Sequence, residues 1–188
     1  LKAEVIQSLS SYRSTSDLEK FNGRFKYSRV VGIIDATDDA ITSNETSIKL
    51  RKDFIPVLNT VTQYEICYQN IIKSGCSEPA VQSTGFVLAD FPSDIVYLAD
   101  DQVGNIYLYK IDPTTKDRFV LNSQVGTVDY LRGEVMLNRL NIIKGTYDDD
   151  RIELRVLPKN KDINALREAY LSLDLTSSVF LIKKESLI

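Results

Sequence analysis

The sequence predicts an α+β fold: a small helix-helix-strand unit, then a β-rich, mostly antiparallel meander with one late helix. Two observations carry that reading. Apolar residues recur at helical spacing only near the ends of the chain. From Thr60 onward they alternate with polar ones in short runs broken by Gly, Asp, Asn and Pro. A length of 188 residues is enough for one large domain or two small ones around a real core. The change of period places the boundary near Asn59, with 1–58 as a small α/β unit and 59–188 as a β-rich domain with a helix near 162–172.

In the first unit Val5, Leu9 and Tyr12 stand at i, i+4 and i+7, so Lys2–Tyr12 reads as a short amphipathic helix. The joint Ser14-Thr15-Ser16-Asp17 offers side-chain hydroxyls and a carboxylate that favour a turn or cap. Gly23 opens a bend, and Ser28 reads as the N-cap of a second helix with Val30, Val31 and Ile34 facing the core. Asp35 to Asp39 end that helix. Ile48 and Leu50 alternate with Lys49 and Arg51 in a half-exposed strand that leads to Pro56.

Beyond Thr60, Tyr64, Ile66 and Tyr68 share one strand face, and Glu65 and Cys67 the other. Ile95–Leu98 and Asn105–Ile111 flank a turn at Asp100–Gly104, and Arg118–Leu121 pairs back across Asp112-Pro113-Thr114-Thr115. Thr127–Tyr130 and Glu134–Leu137 flank Leu131-Arg132-Gly133, a hairpin signal with Gly available for positive φ. Asn141–Ile143 and Arg151–Leu157 are further strands joined through Gly145 and Asp148-Asp149-Asp150. Asp162 reads as the cap of a last helix with Ile163, Leu166 and Tyr170 on its apolar face. Val179–Ile182 closes the chain as a strand, apolar enough for burial on both faces, inside a sheet or against another chain.

Composition narrows the function classes. With 23 Lys+Arg against 26 Asp+Glu, the net charge of −3 argues against a chain devoted to nucleic acid or an anionic membrane. No apolar run approaches a membrane span, and the N-terminus lacks a signal-peptide pattern. The absence of His removes Ser-His-Asp and Cys-His nucleophiles, His-ligated zinc and the commonest general base. Leu1 at the start and Met136 as the sole Met predict a piece of a longer reading frame.

Each motif with chemical potential has a plainer reading. Asp148-Asp149-Asp150 lacks the spacing of a calcium loop and reads as a solvated hairpin tip. Asp38-Asp39 and Asp100-Asp101 read as turn residues for the same backbone reasons. No catalytic, cofactor-binding or metal residues are assigned, and no cofactor is expected. No phosphate-binding glycine loop occurs. Tyr107 and Tyr109 read as cross-strand packing or a protein interface rather than a base-stacking platform. Cys67 and Cys76 are expected as free thiols, Asn44-Glu45-Thr46 as a chance sequon, and Arg132 and Lys183-Lys184 as solvated.

The run of segments Leu18-Glu19-Lys20-Phe21-Asn22-Gly23, Phe25–Val31, Ile34-Asp35 and Ile48–Lys52 resembles the C-terminal part of a phage family. That family is the baseplate wedge protein of T4-like bacteriophages, gene product six, a relative of the baseplate-J proteins of contractile tails. Ser83-Thr84-Gly85-Phe86 and the hairpin phrase Val125–Val135 are similar to the same family. The resemblance implies a structural protein of the virion tail baseplate, assembled in the host cytoplasm. It implies a homodimer that forms a ring in the baseplate, beside other wedge subunits, notably gene products seven, twenty-five and fifty-three. Such a ring holds while the baseplate changes shape on infection, with no catalysis, nucleic acid or membrane involved. Two rivals make other predictions. A receptor- or glycan-binding tail module requires exposed Tyr around a concavity, and a carboxylate hydrolase requires two acids facing each other across a cleft.

Overall fold

The computed structural model describes residues 1–15, 18–19, 23–165 and 171–183. Ser16, Asp17, Lys20–Asn22, Leu166, Tyr170 and Lys184, which the sequence reading used, lie outside the described residues. Two compact units divide the chain: 1–47 together with 161–188, and 48–160. Among the described residues no helix is long and apolar enough to cross a membrane.

The first unit contains α1 (Lys2–Thr15), β1 (Arg24–Phe25), α2 (Tyr27–Asp35) and β11 (Ile163–Asn164). The expected stripe Val5, Leu9 and Tyr12 is the buried face of α1, and the Arg29 guanidinium lies 5.3 Å from the centroid of the Tyr12 ring. Of the three apolar residues expected inward on α2, Val30 is buried, and Val31 and Ile34 are half-buried.

The capping of α2 differs from the sequence reading. Its N-cap position is Lys26, which supplies no side-chain bond, and Ser28 lies inside the helix. The first amide, Tyr27 N–H, donates instead to Asp162 Oδ1 at 2.8 Å. Antiparallel pairing of Arg24 with Asn164 and of Phe25 with Ile163 delivers Asp162 there. Asp162 therefore caps α2 rather than a helix of its own, and Ile163 starts no helix but sits buried in β11.

The second unit holds β2 (Leu50–Phe54), β3 (Thr60–Cys67), β4 (Val81–Ser83), β5 (Phe86–Leu88), β6 (Phe91–Asp100), β7 (Asn105–Ile111), β8 (Arg118–Asp129), β9 (Glu134–Gly145) and β10 (Ile152–Val156). Every pairing between them is antiparallel. Pairings β5–β6, β6–β7, β7–β8, β8–β9 and β9–β5 return to their start, so five strands close on themselves. Strand β3 adds to β9, and β4, β10 and β2 extend outward from β6 in that order. The core includes Phe86, Val96, Leu98, Ile106, Leu108, Val135, Leu137 and Ile142, from all five strands but β8, which contributes Val125 and Val128. Closure removes edges that would otherwise expose unpaired backbone.

Four expected strands merge into two. Arg118–Leu121 and Thr127–Tyr130, the latter as far as Asp129, belong to the single strand β8, and Glu134–Leu137 and Asn141–Ile143 to β9. The polar residues between them do not end the strands and are absorbed as bulges. The β7–β8 register shifts twice between Ile106 and Tyr109, and Asn122 Oδ1 takes the Gln124 N–H at 3.0 Å. The β3–β9 register shifts between Thr62 and Tyr64, opposite Asn138 and Arg139. Beyond the bulge in β8, Gly126 lies so close to β9 that a Cβ would meet Met136 O at 2.4 Å.

The Leu131-Arg132-Gly133 hairpin forms as expected, with Gly133 at φ +69°. Val179–Ile182 does not. No strand forms there, and Val179, Leu181 and Ile182 are exposed, because no described strand of the chain pairs with this segment.

Candidate functional site

The densest polar cluster straddles β2 and β10. Register sets Arg51 opposite Arg155 and Asp53 opposite Glu153, an unfavourable placement of like charges. Diagonal and same-strand contacts reverse the sign. Arg51 reaches Asp53 Oδ1 at 3.0 Å and Glu153 Oε1 at 3.3 Å, and Arg155 Nη2 donates to Glu153 Oε2 at 2.5 Å. Arg151 donates to Asp149 at 3.0 Å, stands 3.8 Å from Glu153, and covers the Tyr147 ring at 4.1 Å. Three guanidinium groups thus neutralise three carboxylates.

Glu153 is the hub, only 1% exposed. Burial pushes its carboxyl up, but hydrogen bonds from Arg155 and Tyr147 and the charge of Arg51 outweigh that, leaving it below the ordinary glutamate value. The cluster locks the register of β2, and its charges guard the outer edge of the sheet. A sequence signal exists: Arg51-x-Asp53 and Arg151-x-Glu153-x-Arg155 place charges at period two, on one face of each strand.

A second buried carboxylate departs from expectation. Asp100, read as a solvated turn residue, is 1% exposed at the end of β6. Its Oδ1 accepts Val81 N–H at 2.7 Å, and its Oδ2 accepts Tyr130 O–H at 2.7 Å and the Gln102 amide at 3.0 Å. Burial first, and then Asp100, raise the Tyr130 phenol above its ordinary value. Asp101 does hold the turn. Burial opposes its ionisation, but hydrogen bonds from Asn105 and Val103 outweigh it and keep the carboxyl low.

The remaining expected residues are dispersed. Asp38 takes the Ala40 N–H, and Asp150 takes the Gly145 N–H, as turn aspartates do. Among the described residues no group of three or more Cys, Asp or Glu is arranged to hold a metal ion. Tyr109 stacks on Tyr97 at 5.5 Å and meets Tyr107 at 5.7 Å, with Arg118 over its ring at 5.0 Å. Tyr109 is itself buried, so the group is cross-strand packing. Cys67 and Cys76 are free thiols. The Asn44 amide is engaged by Val31 O and Asp35. Arg132 lies exposed beside Asp129 at 3.7 Å.

Exposed apolar side chains mark the other surfaces: Val103 and Leu131 on turn tips, Phe119 and Val120 on β8, Ile55 and Val57 before β3, and Val179 and Leu181 near the end. They are spread over both units rather than gathered in one cleft.

Residues 1–53 match the family model described as baseplate structural protein gp6, C-terminal domain III. The match runs from α1 to Asp53 in β2 and supports a gp6-related baseplate protein with a structural role, as the resemblance implied. No curated protein matches the chain.

Proposed function

We propose, from the match of residues 1–53 to a gp6 domain, that this chain is a structural subunit of a contractile phage tail baseplate. It acts by burying surface in the assembly, not by catalysis, and needs no cofactor. In this reading the chain forms homodimers and ring contacts, touches other wedge proteins, and stays joined while the baseplate reorients on infection. It is a late protein, made and assembled in the host cytoplasm. The exposed Val179–Ile182 run supports self-association, since Val179 and Leu181 are 81% and 82% exposed and gain most from being covered.

Light scattering behind size exclusion, from about one to about a hundred micromolar, tests this. The expected mass rises toward twice 21.3 kDa, and a Val179→Asp, Leu181→Asp double variant stays monomeric at the same concentrations. A wild-type monomer throughout the range would overturn the self-associating subunit.

A further inference from the structure

Two turn tips at one end of the five-strand ring present large apolar side chains that the turns do not require. In the β6–β7 turn, Asp101 Oδ1 accepts Val103 N–H and Asn105 N–H, both at 2.9 Å, and Oδ2 takes the Asn105 amide at 2.7 Å. In the β8–β9 turn, Asp129 Oδ1 accepts Leu131 N–H and Arg132 N–H at 3.0 Å each. Val128 N–H donates to Gly104 O at 3.0 Å and ties the two tips together. Aspartate, glycine and backbone thus build both turns, and a polar residue would serve at either tip. Yet Val103 is 81% exposed and Leu131 76%. Their side chains are held out in water on a stiff frame, which lowers the entropy lost when something covers them.

Between the tips lies an open depression of about 560 Å³. Its far wall is a short ladder in which Ile72 bridges Pro158 and Lys159 N–H donates to Ile71 O at 2.8 Å. Lys159 lines the depression, and Lys73 follows on the same ladder through its N–H to Leu157 O at 2.8 Å. Neither lysine forms an ion pair among the described residues. The carboxylate on the wall, Asp129, is already taken by the turn amides and by Arg132. Among the residues that line the depression, the charge without an ion-pair partner is therefore that of Lys159.

We propose that the depression docks an extended segment of a partner protein carrying a large apolar side chain beside an Asp or Glu. Val103 and Leu131 grip the apolar side chain, and Lys159 pairs with the carboxylate. The volume suits one or two side chains. Charge complementarity selects the acidic neighbour and contributes more to orientation and encounter rate than to affinity. The proposal rests on the building-block reading, from which it takes a protein partner.

The probes are three blocked tetrapeptides titrated into the ¹⁵N-labelled full chain: Asp-Leu-Phe-Glu, its neutral form Asn-Leu-Phe-Gln, and Asp-Ser-Ser-Glu. The acidic apolar peptide is expected to move the amides of Val103, Gly104, Leu131 and Lys159 saturably, with the neutral form binding about threefold more weakly. Leu131→Ser should abolish these shifts and Lys159→Gln should reduce the acidic peptide to the neutral level, in variants whose other amides keep their positions. Equal binding of the neutral peptide, binding of Asp-Ser-Ser-Glu, or no shift at these amides would overturn the site. A chain that self-associates in light scattering yet shows no such shifts refutes this site alone. A chain that binds the peptide but stays monomeric refutes only the self-associating subunit.

Discussion

Replacing Glu153 by glutamine tests the charged lock between β2 and β10. Glutamine keeps the shape and one acceptor oxygen but takes the negative charge from among three arginines. Removing one partner of a fully buried pair costs about 3–5 kcal/mol, and an exposed pair contributes about 0–1 kcal/mol. This cluster lies between those limits, because Glu153 is 1% exposed and its arginine partners are 31–35% exposed. Asp53 and Asp149 remain to balance Arg51 and Arg151, so the uncompensated cation is chiefly Arg155. The expected loss is about 2 kcal/mol, or a fall in Tm of about 8 °C for a domain of this size. Urea unfolding followed by circular dichroism at pH 7 measures it. A change below about 0.5 kcal/mol would show that the cluster behaves as ordinary surface charge and would refute the lock.

The acid limb supplies an independent check on the same residue. The folded-state value of Glu153 lies below its ordinary value of 4.5. Its contribution to stability is therefore complete above that value and fades as pH falls through the folded-state value. The glutamine variant lacks this contribution at every pH. The gap between wild type and variant should narrow as pH falls below 4.5, and a gap that holds constant or widens would contradict the assignment.

Three further substitutions probe other parts of the account. Gly133→Ala demands a Cβ at φ +69° and 2.0 Å from Asn70 O, and should cost about 2–3 kcal/mol in a thermal melt; wild-type stability would mean the hairpin is free to shift. Asp100→Asn leaves Val81 N–H or Tyr130 O–H without its acceptor, a loss of about 1–3 kcal/mol. It should also lower the Tyr130 titration, read by ¹³C-tyrosine NMR, and an unmoved phenol would place the cause of its shift in burial alone. Phe86→Ala empties a fully buried site in the ring and should cost about 4 kcal/mol in urea; a loss under about 1 kcal/mol would mean that the core repacks around it.

What was legible in the sequence was local. The stripe Val5, Leu9 and Tyr12, the two faces of β3, and the Gly133 hairpin follow from periodicity and turn chemistry, which act within a few residues. Long-range partners were not legible. Asp100 and Asp101 look alike in sequence, and it is the distant Tyr130 and Val81 amide that make the first a buried acceptor. Asp162 carries the signal of an N-cap, but the helix it caps begins at Tyr27. Asn122 and Gln124 have turn chemistry, and a strand already paired to β7 absorbs them as a bulge. The charges at period two on β2 and β10 could be seen, but their meeting depended on a register that each strand alone cannot state. The apolar run at Val179–Ile182 signals burial without naming what covers it.

The central claim is that the chain is a built-in part of the baseplate, and imaging tests it most directly. A gold-labelled antibody fragment raised against the exposed Pro113–Asp117 turn, applied to intact and contracted tails, reports where the chain sits. The account predicts label at the base of the tail in both states, because the subunit stays joined through the change of shape. Label confined to distal fibres, or particles without any label that nonetheless contract, would contradict it.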